Sequence, residues 1–189
     1  HPVCFIQNKI PILIVTALAI KLYDRGPVFF YQERCTKNGK IFLICKFRSM
    51  IVDAEKSGIS IPATDHDPRI TPVGRLIRKV RIDELPQLLN ILKGDMSLVG
   101  PRPERIEHVN MYSDSIPEFA YRLKVKGGLT GYAQVYGKYN TTAYDKLKMD
   151  LMYIQNYSLL LDIEILFKTI KILFEKESTE GFSYQESLA

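Results

Sequence analysis

A short amphipathic segment with capping residues at both ends, residues 83–94, constrains the fold of this chain more than any other feature of the sequence. Its leucines recur at intervals of three and four residues, which places them on one face of an α-helix: Leu85, Leu88, Leu89 and Leu92. Asp83 is a suitable N-cap, Pro86 is tolerated in the first turn, and Gly94 supplies a left-handed residue at the end. The sequence therefore predicts an α-helix over residues 83–94 that is capped by Asp83.

Length and composition indicate one globular domain with a substantial core. The chain has 189 residues, of which 46% are hydrophobic and 25% are charged, so wholesale disorder and fibrous repeats are excluded. Its three cysteines show no CxxC spacing, which argues against a disulfide framework or a zinc site and favours reduced thiols.

The net positive charge indicates an anionic partner. Lysine and arginine number 26 against 21 acidic residues, a balance of 26 − 21 = +5. Two blocks, residues 34–48 and 69–81, each hold five basic residues and no acidic one. Either block alone could be a solvated face, but two acid-free basic blocks that flank other polar motifs favour a phosphate-binding surface.

The remaining patterns predict an α+β fold that is mostly helical. Two runs rich in β-branched and aromatic residues flank Asn38 and Gly39, which is typical of a β-hairpin with a type I′ turn. Extended or loop structure is predicted for residues 57–71, 100–103 and 127–131. Helices are predicted for residues 73–80, 104–112, 116–125, 143–157 and 159–176.

Two apolar helices leave a choice between protein core and membrane surface. Residues 11–20 are apolar but fall short of the about 20 residues that span a bilayer, and no small-residue cleavage site follows. Periodicity alone favours a buried core helix there over a segment that enters one leaflet. The helix at 159–176 carries an apolar face that suits a core or a membrane interface: Leu160, Ile163, Phe167, Ile170 and Phe174.

Asp83 and Glu84 are the strongest candidates for chemistry. Carboxylates at a helix start lie near unpaired N–H groups, which favour their ionised forms and a bound phosphate. An ionised aspartate can attack phosphorus, and an adjacent glutamate can hold a Mg²⁺ that neutralises phosphate oxygens. The plain alternative is that Asp83 only caps the helix. Nearby cations favour the chemical interpretation: Arg78, Lys79 and Arg81 upstream, and Arg102 between Pro101 and Pro103 downstream.

A second carboxylate pattern offers a competing metal site. Asp65 and Asp67 have the Asp-x-Asp spacing with which many sugar transferases hold Mn²⁺ or Mg²⁺, but Pro68 follows directly and favours a plain turn. His1 and His108 have no serine or cysteine partner at an informative spacing. Walker A, GxGxxG, HExxH and CxxC patterns are absent, which excludes P-loop, dinucleotide-binding and zinc-protease classes.

Five motifs in order resemble those of one enzyme family. They are residues 46–50 (KFRSM), 67–71 (DPRIT) with Gly74 and Arg75, 83–97 (DELPQLLNILKGDMS), 100–104 (GPRPE) and 128–135 (GLTGYAQV). Together they resemble the bacterial sugar transferases, which are membrane-bound polyprenyl-phosphate phosphoglycosyl transferases that begin exopolysaccharide, capsule or glycan assembly. The resemblance extends over residues 11–176.

The resemblance implies a reaction and a set of site residues. A hexose-1-phosphate, with glucose or galactose favoured from the context of residues 101–105, passes from a UDP-sugar to undecaprenyl phosphate and UMP is released. It implies that Asp83 forms the covalent phosphosugar intermediate and that Glu84 binds Mg²⁺. The resemblance also implies phosphate contacts from Arg78 and from Arg102 in its proline frame, with Lys46 and Arg48 as weaker candidates for the same contacts.

The resemblance further implies a monotopic membrane protein on the cytoplasmic face of the bacterial inner membrane. Family members carry an N-terminal helix broken at a proline that enters one leaflet and returns, and Pro11 matches the break. This reverses the preference for a core helix and makes residues 12–20 the outgoing arm. We therefore expect residues 1–22 to be the remnant of a truncated membrane helix, 23–176 the catalytic domain and 177–189 an acidic tail.

Two other classes remain as alternatives. A soluble metal-dependent UDP-sugar glycosyltransferase would use Asp65 and Asp67 and release UDP rather than UMP. A nucleic-acid-binding module would use the basic blocks and the 11 tyrosines and 9 phenylalanines, but the sequence lacks an RNA-recognition or KH signature. We expect no nucleic-acid partner, and the sequence carries no prediction of oligomeric state.

Overall fold

The computed structural model describes residues 10–54, 67–137 and 141–173. These residues form two compact units: the first contains residues 10–30, 46–54 and 67–86, and the second contains residues 31–45, 87–137 and 141–173. The predictions for Asp65, for Phe174, for residues 1–9 and for the tail at 177–189 lie outside the described residues.

Short strands alternate with helices, in agreement with the predicted mixed α and β composition. The helices are α1 (Ile10–Asp24), α2 (Pro72–Lys79), α3 (Gln87–Leu92), α4 (Ile106–Ser115), α5 (Tyr132–Tyr136), α6 (Ala143–Asn156) and α7 (Leu159–Leu173). The strands are β1 (Phe29–Cys35), β2 (Ile41–Phe47), β3 (Ser97–Val99) and β4 (Gly128–Thr130). Segments of 3-10 helix cover Lys37–Gly39, Ile82–Glu84 and Pro117–Lys124.

The turn between β1 and β2 has the predicted geometry. Asn38 and Gly39 both adopt positive φ, at 59° and 72°, as a type I′ turn requires. The N–H of Lys40 donates to the carbonyl of Lys37 at 3.2 Å and closes the turn. The hairpin prediction is confirmed.

Helix α2 begins at a threonine cap and packs closely against the chain that follows β2. The hydroxyl of Thr71 accepts a hydrogen bond from the N–H of Gly74 at 2.9 Å, and Pro72 occupies the first turn. A Cβ on Gly74 would lie 1.8 Å from the carbonyl oxygen of Ser49, so only glycine permits this approach. The first unit's core, built on Ile20, Phe47 and Ile77, fixes the start of α2 and the end of β2 against each other.

The helix predicted over residues 83–94 begins four residues later than expected. Pro86 has no N–H to donate to the carbonyl of Ile82, which instead accepts from the N–H of Leu85 at 3.1 Å in a tighter 3-10 turn. Asp83 therefore lies inside this turn rather than at a helix cap, and the prediction that it caps the helix is wrong. The predicted stop is confirmed, since Gly94 has φ +82°.

The second unit contains a parallel strand pair that the sequence did not predict. Strands β3 and β4 pair with Ser97 opposite Gly128 and Val99 opposite Thr130. Residues 127–131 were predicted as a loop because glycine dominates them. The glycines instead permit close backbone contact, since a Cβ on Gly128 would lie 2.2 Å from the nitrogen of Gly100. Among the described residues, three buried clusters form the core of this unit: Cys35, Val109, Phe119 and Leu147; Phe42, Ile44 and Met96; and Val99, Tyr153 and Ile165.

Helix α1 has one buried face and one exposed apolar face. Ile20 and Thr16 are buried, and Leu13 and Ala17 pack beside Ile20. The opposite face exposes four large apolar side chains: Ile14, Val15, Leu18 and Leu22. Periodicity alone favours a buried core helix for residues 11–20. That interpretation is wrong, because this face is exposed. Among the helices in the described residues, none is long and apolar enough to cross a membrane.

Helix α7 packs with the face opposite to the one expected for core packing. Ile165 is fully buried, while Leu160, Ile163, Phe167 and Ile170 are exposed. Of the two interpretations of the longer apolar face, core packing is wrong, because the unit's core accepts the face that carries Leu161 and Ile165. Both α1 and α7 thus leave large apolar faces without a partner among the described residues.

Candidate active site

Asp83 and Glu84 lie in the 3-10 turn that follows α2, and a lysine from β2 faces them. The Nζ of Lys46 contacts Oε1 of Glu84 at 3.2 Å, and both side chains are largely buried, with exposed fractions of 18% and 14%. An ion pair in such surroundings is stronger than one at the surface, because water screens it less. The fold therefore places three of the predicted site residues together.

The carboxyl of Asp83 has a pKa raised from its usual value to about 6. Burial is the largest cause, and the neighbouring carboxylate of Glu84 raises the pKa further. The charges of Lys46, Arg78 and Arg81 act in the opposite direction. Asp83 is thus a carboxyl whose charge changes near neutral pH, which is typical of a functional group rather than of a simple helix cap.

Arg78 projects from the last turn of α2 and supplies positive charge to two carboxylates. Its charge lowers the pKa of both Asp83 and Asp67. Arg78 is half-buried, and within the described parts of the chain its guanidinium forms no ion pair within 4.0 Å. The side chain therefore carries a charge that an anionic ligand can use.

Arg48 is buried and engaged within the protein. Its guanidinium forms a two-pronged ion pair with Asp24 and also donates to the carbonyl of Pro27. These contacts hold the pKa of Asp24 at about 2, mainly through the hydrogen bonds from Arg48. This geometry gives Arg48 a structural role at the end of α1, and its predicted contact with phosphate stays a prediction.

Asp67 is also engaged within the protein. Its carboxylate accepts hydrogen bonds from the backbone and side chain of Arg69, which lower its pKa. This arrangement is a turn in which the aspartate bonds the backbone two residues on, the plainer of the two interpretations. Within residues 10–54, 67–137 and 141–173, no group of three or more potential metal-ligating side chains occurs.

The segment of Pro101, Arg102 and Pro103 lies in the second unit and is held by its carbonyl oxygens. Neither proline can donate a hydrogen bond, yet each of four successive carbonyls accepts one. The donors are the N–H of Gly128 to Pro101, Arg122 to Arg102, Arg34 to Pro103 and the N–H of Cys35 to Glu104, at 2.9–3.2 Å. The backbone that carries the Arg102 side chain is therefore rigidly fixed.

Sequence reasoning missed the buried arginine and aspartate that support this segment. Arg122 and Asp150 form an ion pair with Nε to Oδ2 at 2.7 Å, and their side chains are 8% and 2% exposed. They are 28 residues apart in the chain, so no local spacing connects them. The only available signal was the presence of a charged residue on the apolar side of a predicted helix.

Comparison with known proteins identifies the family. Residues 3–176 match the family model described as bacterial sugar transferase. The chain belongs to the bacterial sugar transferase family, as the five ordered motifs predicted.

Three relatives indicate the range of reactions in this family. The chain is 48% identical, over 86% of its length, to a UDP-N-acetylgalactosamine-undecaprenyl-phosphate N-acetylgalactosaminephosphotransferase of Aeromonas hydrophila. It is 43% identical to two proteins named UDP-glucose:undecaprenyl-phosphate glucose-1-phosphate transferase, over 85% of its length for that of Escherichia coli and 89% for that of Caulobacter vibrioides. The aligned part is 39%, 35% and 64% of these relatives, so the chain spans from about a third to under two thirds of their length.

Proposed function

We propose that this chain transfers a hexose-1-phosphate from a UDP-sugar to undecaprenyl phosphate, with Asp83 as the nucleophile. One observation supports this most strongly: a carboxyl of raised pKa lies beside a second carboxylate and within the field of Lys46, Arg78 and Arg81. Nucleophilic carboxylates and diphosphate substrates both require such an arrangement. The names of the relatives from Aeromonas hydrophila and Escherichia coli describe the same kind of phosphosugar transfer in those proteins.

The proposed reaction has two displacements at one phosphorus atom. In the first, a carboxylate oxygen of Asp83 attacks the phosphorus that carries the sugar; the bond from this phosphorus to the UMP oxygen breaks, and UMP leaves with the electron pair. In the second, a phosphate oxygen of undecaprenyl phosphate attacks the same phosphorus. The acyl phosphate bond then breaks, and Asp83 returns as a carboxylate.

The pKa of Asp83 suits the first displacement. With a pKa of about 6, about nine tenths of the molecules carry an ionised Asp83 at pH 7. A carboxylate whose pKa is raised is also more basic than an ordinary aspartate, and it binds a phosphorus centre more readily. Burial therefore raises reactivity without removing the charged form at neutral pH.

Glu84, which lies beside Asp83, fits a Mg²⁺ site of the kind that substrate completes. Mg²⁺ is commonly held by one or two protein carboxylates together with phosphate oxygens, so a larger acidic cluster is not required. The mutual repulsion of the two carboxylates, visible in the raised pKa of Asp83, is the repulsion that a divalent cation would relieve. When bound, the ion supplies charge neutralisation to the diphosphate.

Cationic side chains also have roles in the proposed reaction. Lys46 holds Glu84 in place through their ion pair, and Arg78 offers its guanidinium to a phosphate. The family motif assigns a further phosphate contact to Arg102, whose rigid backbone suits it to hold a charged group in a fixed position. Arginine is favoured at such positions because its planar guanidinium matches phosphate oxygens in pairs.

The experiment that tests the proposal is covalent capture. We expect incubation with radiolabelled UDP-sugar and Mg²⁺, without lipid acceptor, to release one equivalent of UMP and leave label on Asp83, identified by peptide mapping. The donor panel should contain UDP-glucose, UDP-galactose and UDP-N-acetylgalactosamine, since the names of the three relatives include glucose and N-acetylgalactosamine and the resemblance favours glucose or galactose. Release of UDP in place of UMP, or lipid product without any labelled protein intermediate, would contradict the proposal.

We also propose that the exposed faces of α1 and α7 lie on an anionic lipid surface. Each face presents large apolar side chains, and Lys21 on α1 and Lys171 on α7 lie on the same helices. Amphipathic helices with basic residues bind at the boundary between headgroups and acyl chains. A polyprenyl phosphate acceptor is confined to that boundary, so the location also suits the proposed reaction.

Substitution of these faces is expected to weaken binding to vesicles. Val15→Ser with Leu18→Ser on α1, and Leu160→Ser with Phe167→Ser on α7, should each reduce partitioning into phosphatidylglycerol-containing vesicles roughly tenfold or more, because each apolar side chain contributes about 1.5–3 kcal/mol when fully buried. Sedimentation with vesicles measures the effect. Met111→Ser, which changes an exposed apolar residue on α4, is the matched control and should have little effect. Equal partitioning of all these proteins would refute the membrane-surface proposal.

A further inference from the structure

Arg122 and Asp150 form a buried ion pair that the proposed reaction does not use directly. Asp150 lies on α6 and is 1% exposed, and Arg122 lies in the 3-10 segment Pro117–Lys124. Burial raises the pKa of Asp150, while the charge and hydrogen bond of Arg122 lower it. Buried ion pairs rarely improve stability over an apolar packing, so such a pair calls for another reason.

The guanidinium of Arg122 connects this pair to the Arg102 backbone. Its Nε donates to Oδ2 of Asp150 at 2.7 Å, and its NH2 group donates to the carbonyl oxygen of Arg102 at 3.0 Å. The guanidinium carbon lies over the ring of Phe119, 4.7 Å from its centroid, so the ring packs against one face of the guanidinium. A planar group that is fixed on three sides sets the position of the carbonyl it binds.

Among the described residues, Arg122 contacts the Arg102 carbonyl itself, and the neighbouring carbonyls have other donors. A shift of this peptide group would rotate the bond from Cα to Cβ of Arg102 and move its guanidinium by a larger distance. Misplacement of about 1 Å can lower a reaction rate about 10²-fold. The carboxylate of Asp150 holds Arg122 against such a shift, because it accepts the hydrogen bond from Nε at 2.7 Å, whereas the second carboxylate near this guanidinium, that of Glu104, is 3.9 Å from it.

We propose that Arg122 and Asp150 are positioning residues that fix Arg102 for its contact with a phosphate group of the substrate. This inference rests on the role of Arg102 in the proposed function. It adds to the Pro-Arg-Pro motif two residues that hold Arg102 in position, and these residues lie 20 and 48 positions further along the chain.

The first test is a double-mutant cycle on the 189-residue chain, with UMP release from UDP-sugar as the measurement. Arg122→Lys retains the charge but cannot donate in the same fork, and Asp150→Asn retains the shape but not the charge. We expect each to lower kcat/KM roughly tenfold or more in the parent, and less than about twofold when Arg102 is already alanine. Ile165→Val, a core change in the same unit, is the control and should have equal effects in both backgrounds.

The second test measures the backbone mobility of residues 100–105 and does not depend on enzyme activity. Hydrogen–deuterium exchange in the peptide that covers residues 100–105 should be faster in Arg122→Lys and Asp150→Asn than in the parent. Ile165→Val should leave exchange in this peptide unchanged at a temperature where all variants are folded.

The outcomes separate this inference from the proposed function. Equal losses for Arg122→Lys in both backgrounds, with unchanged exchange at residues 100–105, would overturn the positioning role while Arg102 keeps its own. If Arg102→Ala has no effect on UMP release, the proposed phosphate contact fails, and the positioning role fails with it. Loss confined to the parent background, together with faster exchange, supports both.

Discussion

Replacement of Asp83 by asparagine is expected to lower kcat by roughly 10³-fold or more and to abolish covalent labelling from UDP-sugar. The amide has the shape of the carboxyl but no negative oxygen with which to attack phosphorus. UMP release in the presence and absence of acceptor measures the loss, and intact mass measures the labelled protein. Asp114→Asn, which removes an exposed carboxylate on α4, is the matched control and should retain activity within about twofold.

The same substitution should not destabilise the fold. Because the pKa of Asp83 is raised to about 6 in the folded chain, the native state favours the neutral form. The stabilisation from this group is fully present below the pKa of the unfolded chain and is lost as pH rises through about 6. Asparagine is neutral at every pH, so Asp83→Asn should be at least as stable as the parent at pH 7.5, as measured by Tm.

A folded Asp83→Asn protein that still turns over substrate at a tenth or more of the parental rate would exclude Asp83 as the nucleophile. A protein that is inactive because it has unfolded would show a lowered Tm. The two measurements together therefore distinguish a chemical role from a structural one.

Local patterns in the sequence predicted most of the secondary structure. The Asn38-Gly39 turn, α2 and the stop at Gly94 depend on residues within four positions of each other, and all three predictions are confirmed. The late start of α3 could also have been read locally, since Pro86 removes the donor that Ile82 requires. A proline is tolerated in the first turn of a helix, but it also leaves one carbonyl without its helical donor.

Other features depend on residues that are distant in the sequence. Strands β3 and β4 are three residues each, and their glycines look like loop until the partner strand is known. An apolar helix face does not indicate what covers it, so the sequence could not decide between a core and a membrane interface for the face of α7 that is exposed. Arg48 and Arg78 have the same chemical type, and only tertiary contacts reveal that Asp24 already engages the first of them.

The dyad itself followed from residue types and from five ordered motifs, but its electrostatics did not. A capped helix would have lowered the pKa of Asp83, because N–H groups at a helix start favour an ionised carboxylate. The structure places Asp83 in a partly buried 3-10 turn beside Glu84, where its pKa rises instead. The raised pKa of Asp83 depends on the neighbouring charges of Glu84 and Lys46, and substitution of each residue tests this dependence.

Glu84→Gln is expected to lower kcat/KM for UMP release roughly 10²-fold and, in the metal-free protein, to lower the pKa of Asp83. Without Mg²⁺, the carboxyl of Asp83 in the parent should ionise as pH rises through about 6. Glutamine removes the neighbouring charge that raises the pKa of Asp83, so this ionisation should occur at lower pH in the variant. The carboxyl ¹³C chemical shift of Asp83, recorded against pH without Mg²⁺, is the measurement, because a cation bound at Glu84 would offset the charge that the substitution removes.

Lys46→Met provides the matched test in the opposite direction. The charge of Lys46 lowers the pKa of Asp83, so its removal should raise the pH at which Asp83 ionises in the metal-free protein. Either substitution breaks the ion pair of 3.2 Å between Lys46 and Glu84, and general disruption of this pair would shift both titrations in the same direction. Opposite shifts would therefore confirm that the charges of Glu84 and Lys46 set the pKa of Asp83, whereas parallel shifts, or none, would contradict this account of the site.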